Sequence, residues 1–346
     1  MGRTGMSIRV IKPGLHTTVQ DLGRPGWRKD GVAEGGAMDR FALRTANLLV
    51  GNAEGEAGLE LTLAGPVLEM ERDLLIAVCG ATMPPSIDGE ELPLWRPVWV
   101  RAGAVISFGT AYSGCRAYVA AAGGIAAERA LGSRGTDTRA GIGGVAGRAL
   151  QRGDELRCGA EPPRAAAWRA ALAARAAAEP QGRRRNWAAP GWFAPPFAYG
   201  GASEDGIRLR VMPGAEYGQF REAARTALMQ ERFRVAPASD RMGVRLEGPP
   251  LERSGSAELL SHGVVAGTVQ VPAGGAPIIL AADCQTTGGY PKLAHVISVD
   301  LPLLAQSKPG DWITFSQVTL AEAQQLHLAF ERAMRLMASA IAVHKL

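Results

Sequence analysis

Hydrophobic and polar positions alternate along most of this chain in short runs, and glycine turns punctuate them. From Met6 to about Gly159 the runs are SIRVI, LLIAVCG from Leu74, VWVR from Val98, VISFG from Val105 and CRAYVAA from Cys115. This is the period of strands half-buried on a sheet. One stretch breaks it with a helical stripe, Ala42, Leu43, Ala46, Leu49 and Val50, which Asp39 can cap and Gly51 can end. The strand pattern resumes with IRLRV at Ile207 and predicts strands near Gly243–Leu246, Thr268–Val271, Ile278–Ala281 and Ala294–Val299, with a last run, DWITF, ending at Phe315. Helices are expected over Ala215 to Glu231 and from Leu320 to about Val343.

Residues 160–206 differ in character. An Ala/Arg run passes through three consecutive arginines into AAPGWFAPPFAYGG, which reads as a connection, helical at first and then extended. The expectation is a mainly β protein with flanking helices, divided into a β domain over 6–159, a linker over 160–206, a second β domain over 207–319 and a terminal helix over 320–346. LELTLAGPVLE at Leu59–Glu69 echoes GVRLEGPPLE at Gly243–Glu252, which suggests two related β domains.

Composition sharpens this. The 346 residues include 44 glycines and 22 prolines with 6% aromatics, the make-up of a turn-rich β protein rather than a helical bundle. The formal charge is +5, but the segment from Glu161 to Glu204 holds six arginines against three glutamates and so supplies most of it. A basic face for nucleic acid is therefore not expected. Cys79, Cys115, Cys158 and Cys284 are scattered without C-x-x-C spacing, as reduced thiols would be. No run reaches the roughly 18 apolar residues of a membrane span and the start has no apolar signal core, so a cytoplasmic location is expected.

Three clusters could carry chemistry. The densest is ADCQTTGGYPK, Ala282–Lys292: an apolar strand runs into a loop bearing Asp283, Gln285, Thr286, Thr287, Gly288, Gly289, Tyr290 and Lys292. Gln285 offers donor and acceptor together, glycine amides permit close approach, and Lys292 can stabilise an oxyanion, a set suited to a planar amide or ureido group. A solvated turn has the same composition. The second cluster is PGLHTTVQDLGR from Pro13, with GVAEGGAMD ending at Asp39; its Asp21 and Arg24 are spaced for one turn and could equally form a structural ion pair. The third, SDRMG, places Ser239, Asp240 and Arg241 before a strand, where arginine could fork onto a carboxylate or the three could close a capped turn. GIGGVA at Gly141–Ala146 lacks the preceding strand of a dinucleotide site, no P-loop is present, and His16 and His262 read as turn residues.

Taken in order, PGLHTTVQDLGR, GAMD, ANLLVGN, SDRMGVRLEGPPL, ELLSHGVVAGTVQVP and ADCQTTGGYPK resemble the family of allophanate hydrolase subunit 2, the C subunit of 5-oxoprolinase and the carboxyltransferase domain of urea carboxylase. The resemblance covers nearly all of the chain outside 160–206. It implies two cyclophilin-like β-barrel domains with a site between them, and a partner resembling allophanate hydrolase subunit 1 or the B subunit of 5-oxoprolinase, with an A subunit in some assemblies. In carboxyltransferase members, biotin arrives carboxylated on a carrier from another chain, since no A-M-K-M-like motif occurs here, and its carboxyl passes to an amide nitrogen. In the 5-oxoprolinase branch ATP drives the opening of 5-oxoproline to glutamate, with the ATP site completed by other subunits. The implied catalytic residues are Gln285 and Lys292, with Asp283 or Tyr290 orienting the acceptor. Thr286, Thr287, Gly288, Gly289, Ser239, Asp240, Arg241, Asp21, Arg24 and Asp39 are the implied substrate-binding set, and no metal is implied. Where relatives read like GSRSTY, this chain reads GSRGTD over Gly132–Asp137. The readings to separate are a C subunit of 5-oxoprolinase, a urea carboxylase or allophanate-type carboxyltransferase, and a binding protein that sequesters a kinase-inhibitor-like partner.

Overall fold

A computed structural model describes residues 5–180, 185–203, 206–255 and 259–344. Arg183, Arg184 and Glu204, which carry part of the charge expected in the connection, lie outside these, as do Glu258 of the ELLSH motif and the last two residues of the expected terminal helix. Two compact units emerge, neither continuous in sequence. The first takes Met1–Gly23, Arg40–Pro196 and Arg335–Leu346, and the second Arg24–Asp39 and Phe197–Met334.

The first unit packs two six-stranded sheets about one core. One sheet runs through Glu155–Leu156, Ile8–Lys12, Val67–Met70, Val105–Phe108, Pro85–Ile87 and Glu90–Glu91; the other through Trp187–Ala188, Pro97–Val100, Leu74–Thr82, Ser113–Ala121, Gly58–Thr62 and His16–Gln20. Alternation decides which side chains enter the core. Ile8 and Val10 point inward with Leu68 and Met70, while Arg9 between them reaches Glu69 and Glu71. Each such apolar side chain, fully buried, contributes about 1.5–3 kcal/mol. Helix α1 (Arg40–Leu49) buries Ala42, Leu43, Ala46 and Leu49 of the expected stripe and Phe41 besides, while Val50, also buried, follows its last turn. The asparagines of ANLLVGN lock its exit: Asn52 Nδ2 donates to Asn47 Oδ1 and to the Ala121 carbonyl, and its Oδ1 accepts the Gly123 N–H.

The Ala/Arg run expected to open the connection forms helix α2 (Pro163–Ala178), with Ala165, Trp168, Leu172 and Ala176 buried in the first unit. Farther on, Trp187–Ala188 pairs with Trp99 and Val100 as an edge strand. The tryptophans supply the apolar surface that the alanines lack, which is why this alanine-rich stretch packs rather than floats.

The second unit is a closed seven-stranded barrel. Its order is Gly206–Pro213, Lys292–Val296, Thr268–Gln270, Ile278–Leu280, Gly243–Glu247, Phe233–Val235 and Trp312–Gln317, and the last strand returns to the first in parallel, Ile207 beside Ile313 through Val211 beside Gln317. Closure removes the edges that an open sheet of this size would expose. Leu209, Val211, Phe233, Leu246, Val269, Ile279, Leu293 and Phe315 fill it. The helix expected over 215–231 is instead a 3-10 turn, Tyr217–Gln219, and helix α3 (Glu222–Gln230), with Phe220 extended between them. Phe220 is buried in the barrel core, and that burial overrides the local helical preference. Short helix α4 (Leu301–Ala305), not foreseen, follows the expected strand, and α5 (Leu320–Val343) is the expected terminal helix. Among the described residues no helix is long and apolar enough to cross a membrane.

Candidate active site

The ADCQTTGGYPK loop leaves the barrel at the end of strand Ile278–Leu280 and re-enters it at Lys292. Between these points Thr287 and Gly288 pair with Gly263 and His262 in a small two-stranded sheet, and the Thr286 carbonyl accepts the Val264 N–H. The loop is thus held by backbone pairing and is not a solvated turn. Buried Cys284 and Val264 anchor it from below, and burial pushes the Cys284 thiol pKa up.

A β-bulge sets the geometry at Lys292. Strand Thr268–Gln270 pairs Val269 with Ala294 but Gln270 with Lys292, skipping Leu293. A one-residue slip moves a side chain to the other face of a sheet, so the bulge lets Leu293 stay in the core while Lys292 stands opposite Gln270. The segment after Pro213 folds back over it. A Cβ on Gly214 would stand 2.2 Å from the Lys292 carbonyl oxygen, so only glycine permits this approach. The turn delivers Glu216, whose Oε2 accepts the Lys292 backbone N–H at 2.8 Å and lies 3.8 Å from its Nζ.

Lys292 is 2% exposed. Its Nζ donates toward His262 Nδ1 at 3.2 Å and the Tyr290 carbonyl at 3.4 Å. His262 Nδ1 also lies 3.1 Å from the Leu260 carbonyl, and its Nε2 faces Glu216 Oε1 at 3.5 Å. His295 hydrogen-bonds Thr268 Oγ1 at 3.2 Å; burial first, and then the charge of Lys292, hold its pKa below the usual imidazole value.

Beside this group Gln270 and Gln285 close tightly on Gly288, an approach that only glycine permits. A Cβ there would stand 2.6 Å from Gln270 Nε2 and 3.4 Å from Gln285 Nε2. Gln270 is 1% exposed and its Nε2 has no hydrogen-bond partner among the described residues. A buried donor without an acceptor costs about 1–3 kcal/mol. Gln285 and Tyr290 are exposed.

Arg241 and Asp283 form a two-point ion pair, Nε to Oδ2 at 2.7 Å and Nη2 to Oδ1 at 2.8 Å, with side chains only 11% and 10% exposed. Arg241 Nη2 also donates to the Gly36 carbonyl at 2.6 Å, and the Gly35 N–H donates to the Ala282 carbonyl. Segment 24–39 is thereby tied to the active loop. Arg24 in it is 1% exposed, and its backbone N–H donates to Glu34 O. Asp39, fully buried, accepts from Tyr199 Oη at 2.5 Å and Gln306 Nε2 at 2.6 Å.

Other expected site residues sit elsewhere. Asp240 Oδ1 accepts the N–H groups of Met242 and Gly243, and Ser239 Oγ accepts that of Arg245, so these two build the turn into strand Gly243–Glu247. Asp21 belongs to the first unit, where it accepts from Gly23 N, Ser133 Oγ and Arg134 N at 2.6–2.8 Å. The GSRGTD loop is therefore pinned by Asp21, and Thr136 Oγ1 adds a bond to the Val19 carbonyl.

Glu216, Gln270 and His262 were not among the residues singled out from sequence. His262 had the look of a turn residue and Glu216 carried no signal. Gln270 did carry one: in TVQVP both faces of the strand are buried, so a glutamine there has no route to water.

The model of the carboxyltransferase domain, subdomains A and B, matches residues 30–317. The chain is 38% identical over 317 residues to the 5-oxoprolinase C subunit of Escherichia coli (strain K12), covering 91% of this chain and 93% of that one. Among solved structures, TTHA0988 superposes with a TM-score of 0.73 at 36% identity, over 91% of this chain and 56% of that one. The K. lactis urea amidolyase does so at 0.84 and 27% identity, over 97% of this chain and 20% of the other. This chain, therefore, spans about half of the one solved chain and a fifth of the other, and it belongs to the carboxyltransferase domain family, subdomains A and B.

Proposed function

We propose that the chain is the C subunit of an ATP-dependent 5-oxoprolinase, which opens the lactam of 5-oxoproline to glutamate as part of a larger assembly. The observation that carries this reading is reciprocal coverage: the alignment with the Escherichia coli relative leaves less than a tenth of either chain unmatched.

Attack on an amide carbonyl moves negative charge onto its oxygen, and fixed donors in a water-poor site stabilise that charge most strongly. In this reading Lys292 supplies the cation, held in place by Glu216 and His262, and the side-chain amides of Gln270 and Gln285, which meet beside Gly288, donate to the oxygen. Arg241 and Asp283 act as positioning residues, keeping the loop and segment 24–39 together. ATP, consumed by the assembly, supplies the driving force for opening an otherwise stable lactam, and its site is expected to be completed by the A and B subunits.

A second reading is carboxyl transfer to an amide nitrogen, favoured by the likeness to urea amidolyase. The same two amide donors match a ureido oxygen, so in this reading biotin on another chain's carrier would be received by Gln270 and Gln285.

The test is reconstitution with the cognate A and B subunits. ATP-dependent glutamate release from 5-oxoproline is expected, and Lys292→Met should lower kcat by about 100-fold or more, the range of one lost oxyanion donor, while the complex still co-elutes. An intact wild-type assembly that makes no glutamate would overturn the proposal, and biotin-dependent carboxylation of urea by that assembly would put the second reading in its place.

A further inference from the structure

The barrel closes where strand Gly206–Pro213 runs beside Trp312–Gln317, and the register puts Arg208 next to Thr314 and Arg210 next to Ser316. Ile207, Leu209, Ile313 and Phe315 alternate with them and lie in the core. The two guanidinium-bearing and two hydroxyl-bearing positions therefore share the outer face, the arginines about 6.6 Å apart along the strand. All four line a cavity of about 900 Å³ that includes none of the residues around Lys292.

Arginines dominate the charged residues of the lining. Arg210 is committed to Asp300, donating from both its backbone N–H (2.7 Å) and its Nε (3.0 Å) to Oδ2. Asp300 is fully buried and is the only carboxylate lining the cavity among the described residues. Arg232 lines it too, its guanidinium 5.0 Å over the Trp312 ring. Arg208 is exposed; its backbone N–H donates to the Gly201 carbonyl, while its guanidinium has no ion-pair partner among the described residues. Helix α5 adds an apolar wall through Leu326 and Phe330, and the Phe330 ring meets Phe197 edge-on at 5.5 Å.

We infer that this cavity is a binding site for a small organic anion, a phosphate or carboxylate borne on an aromatic or aliphatic body. Arg208 and the hydroxyls of Thr314 and Ser316 take the anionic group, since guanidinium forks match such oxygens in pairs. Phe330 and Leu326 cover the body. The site is independent of the chemistry at Lys292.

The test is calorimetric titration of the full chain with phenyl phosphate and, separately, inorganic phosphate. Saturable one-to-one binding of phenyl phosphate is expected, weakened about tenfold by Arg208→Ala, the size of one charge-assisted contact, and unchanged by Gln285→Ala. Both positions are exposed, so both variants should fold. Inorganic phosphate should bind at least about tenfold more weakly, for want of the apolar contacts. No saturable binding, equal affinity for the two probes, or binding removed by Gln285→Ala and kept by Arg208→Ala would overturn the assignment.

Discussion

Glu216 holds Lys292 at two points: one carboxylate oxygen accepts the lysine's backbone N–H at 2.8 Å and stands 3.8 Å from its Nζ. Both side chains are less than a tenth exposed. The turn that crosses the lysine's strand thus sets a carboxylate beside its buried amine. Removing that charge while keeping a hydrogen-bond acceptor, as Glu216→Gln does, is expected to cost about 3 kcal/mol, the lower end for breaking a buried pair. Urea denaturation reads this as a lower midpoint at unchanged slope; an unmoved midpoint would show that the carboxylate is not the lysine's partner.

Gln270 should show opposite effects on stability and activity. Gln270→Leu keeps roughly the same volume and removes a buried donor that no described residue satisfies, so the variant should be about 1 kcal/mol more stable. Turnover in the reconstituted assembly should fall about tenfold or more, the loss of one hydrogen bond to a developing charge. A variant that is more stable and fully active would assign Gln270 to the fold alone.

Arg241→Lys tests the tie between the active loop and segment 24–39. Lysine cannot reproduce the two-point contact with Asp283 or reach Gly36 at the same time. A loss of about 2 kcal/mol is expected, with limited proteolysis appearing within residues 24–39. If cleavage there stays as slow as in the wild type, that segment is held by its other contacts.

His295 predicts a dependence on pH. Its folded pKa lies below the unfolded imidazole value of about 6.5 because burial and Lys292 disfavour the imidazolium, with Glu216 opposing in part. A group depressed in the folded state stabilises it above the unfolded pKa, and that stability is lost as pH falls through the window between the two values. The thermal midpoint should therefore decline as pH falls below about 6.5, and His295→Asn should flatten the decline. Parallel curves for both proteins would remove His295 from the account.

Much of the architecture was legible as pattern. The alternation at Ile8–Lys12, the stripe of α1 and the long α5 follow from spacing alone, because period and burial agree there. The Ala215–Glu231 stretch did not follow, since Phe220 leaves the helical pattern to enter the barrel core. The loop from Asp283 to Lys292 was legible as a cluster of polar groups. Its neighbours Glu216, His262 and Gln270 were not, for they lie 76, 30 and 22 residues from Lys292 and meet it only through barrel pairing.

By itself, then, the chain determined residue types, strand periods and the loop that bears the polar groups, all of which are local properties. Which of those groups come together was decided by the tertiary structure: a single bulge at Leu293 sets Lys292 against Gln270, and closure of the barrel lines up Arg208 and Arg210 beside Thr314 and Ser316. Register and closure are pairings between distant segments, fixed by the burial of the whole core rather than by any one stretch of it.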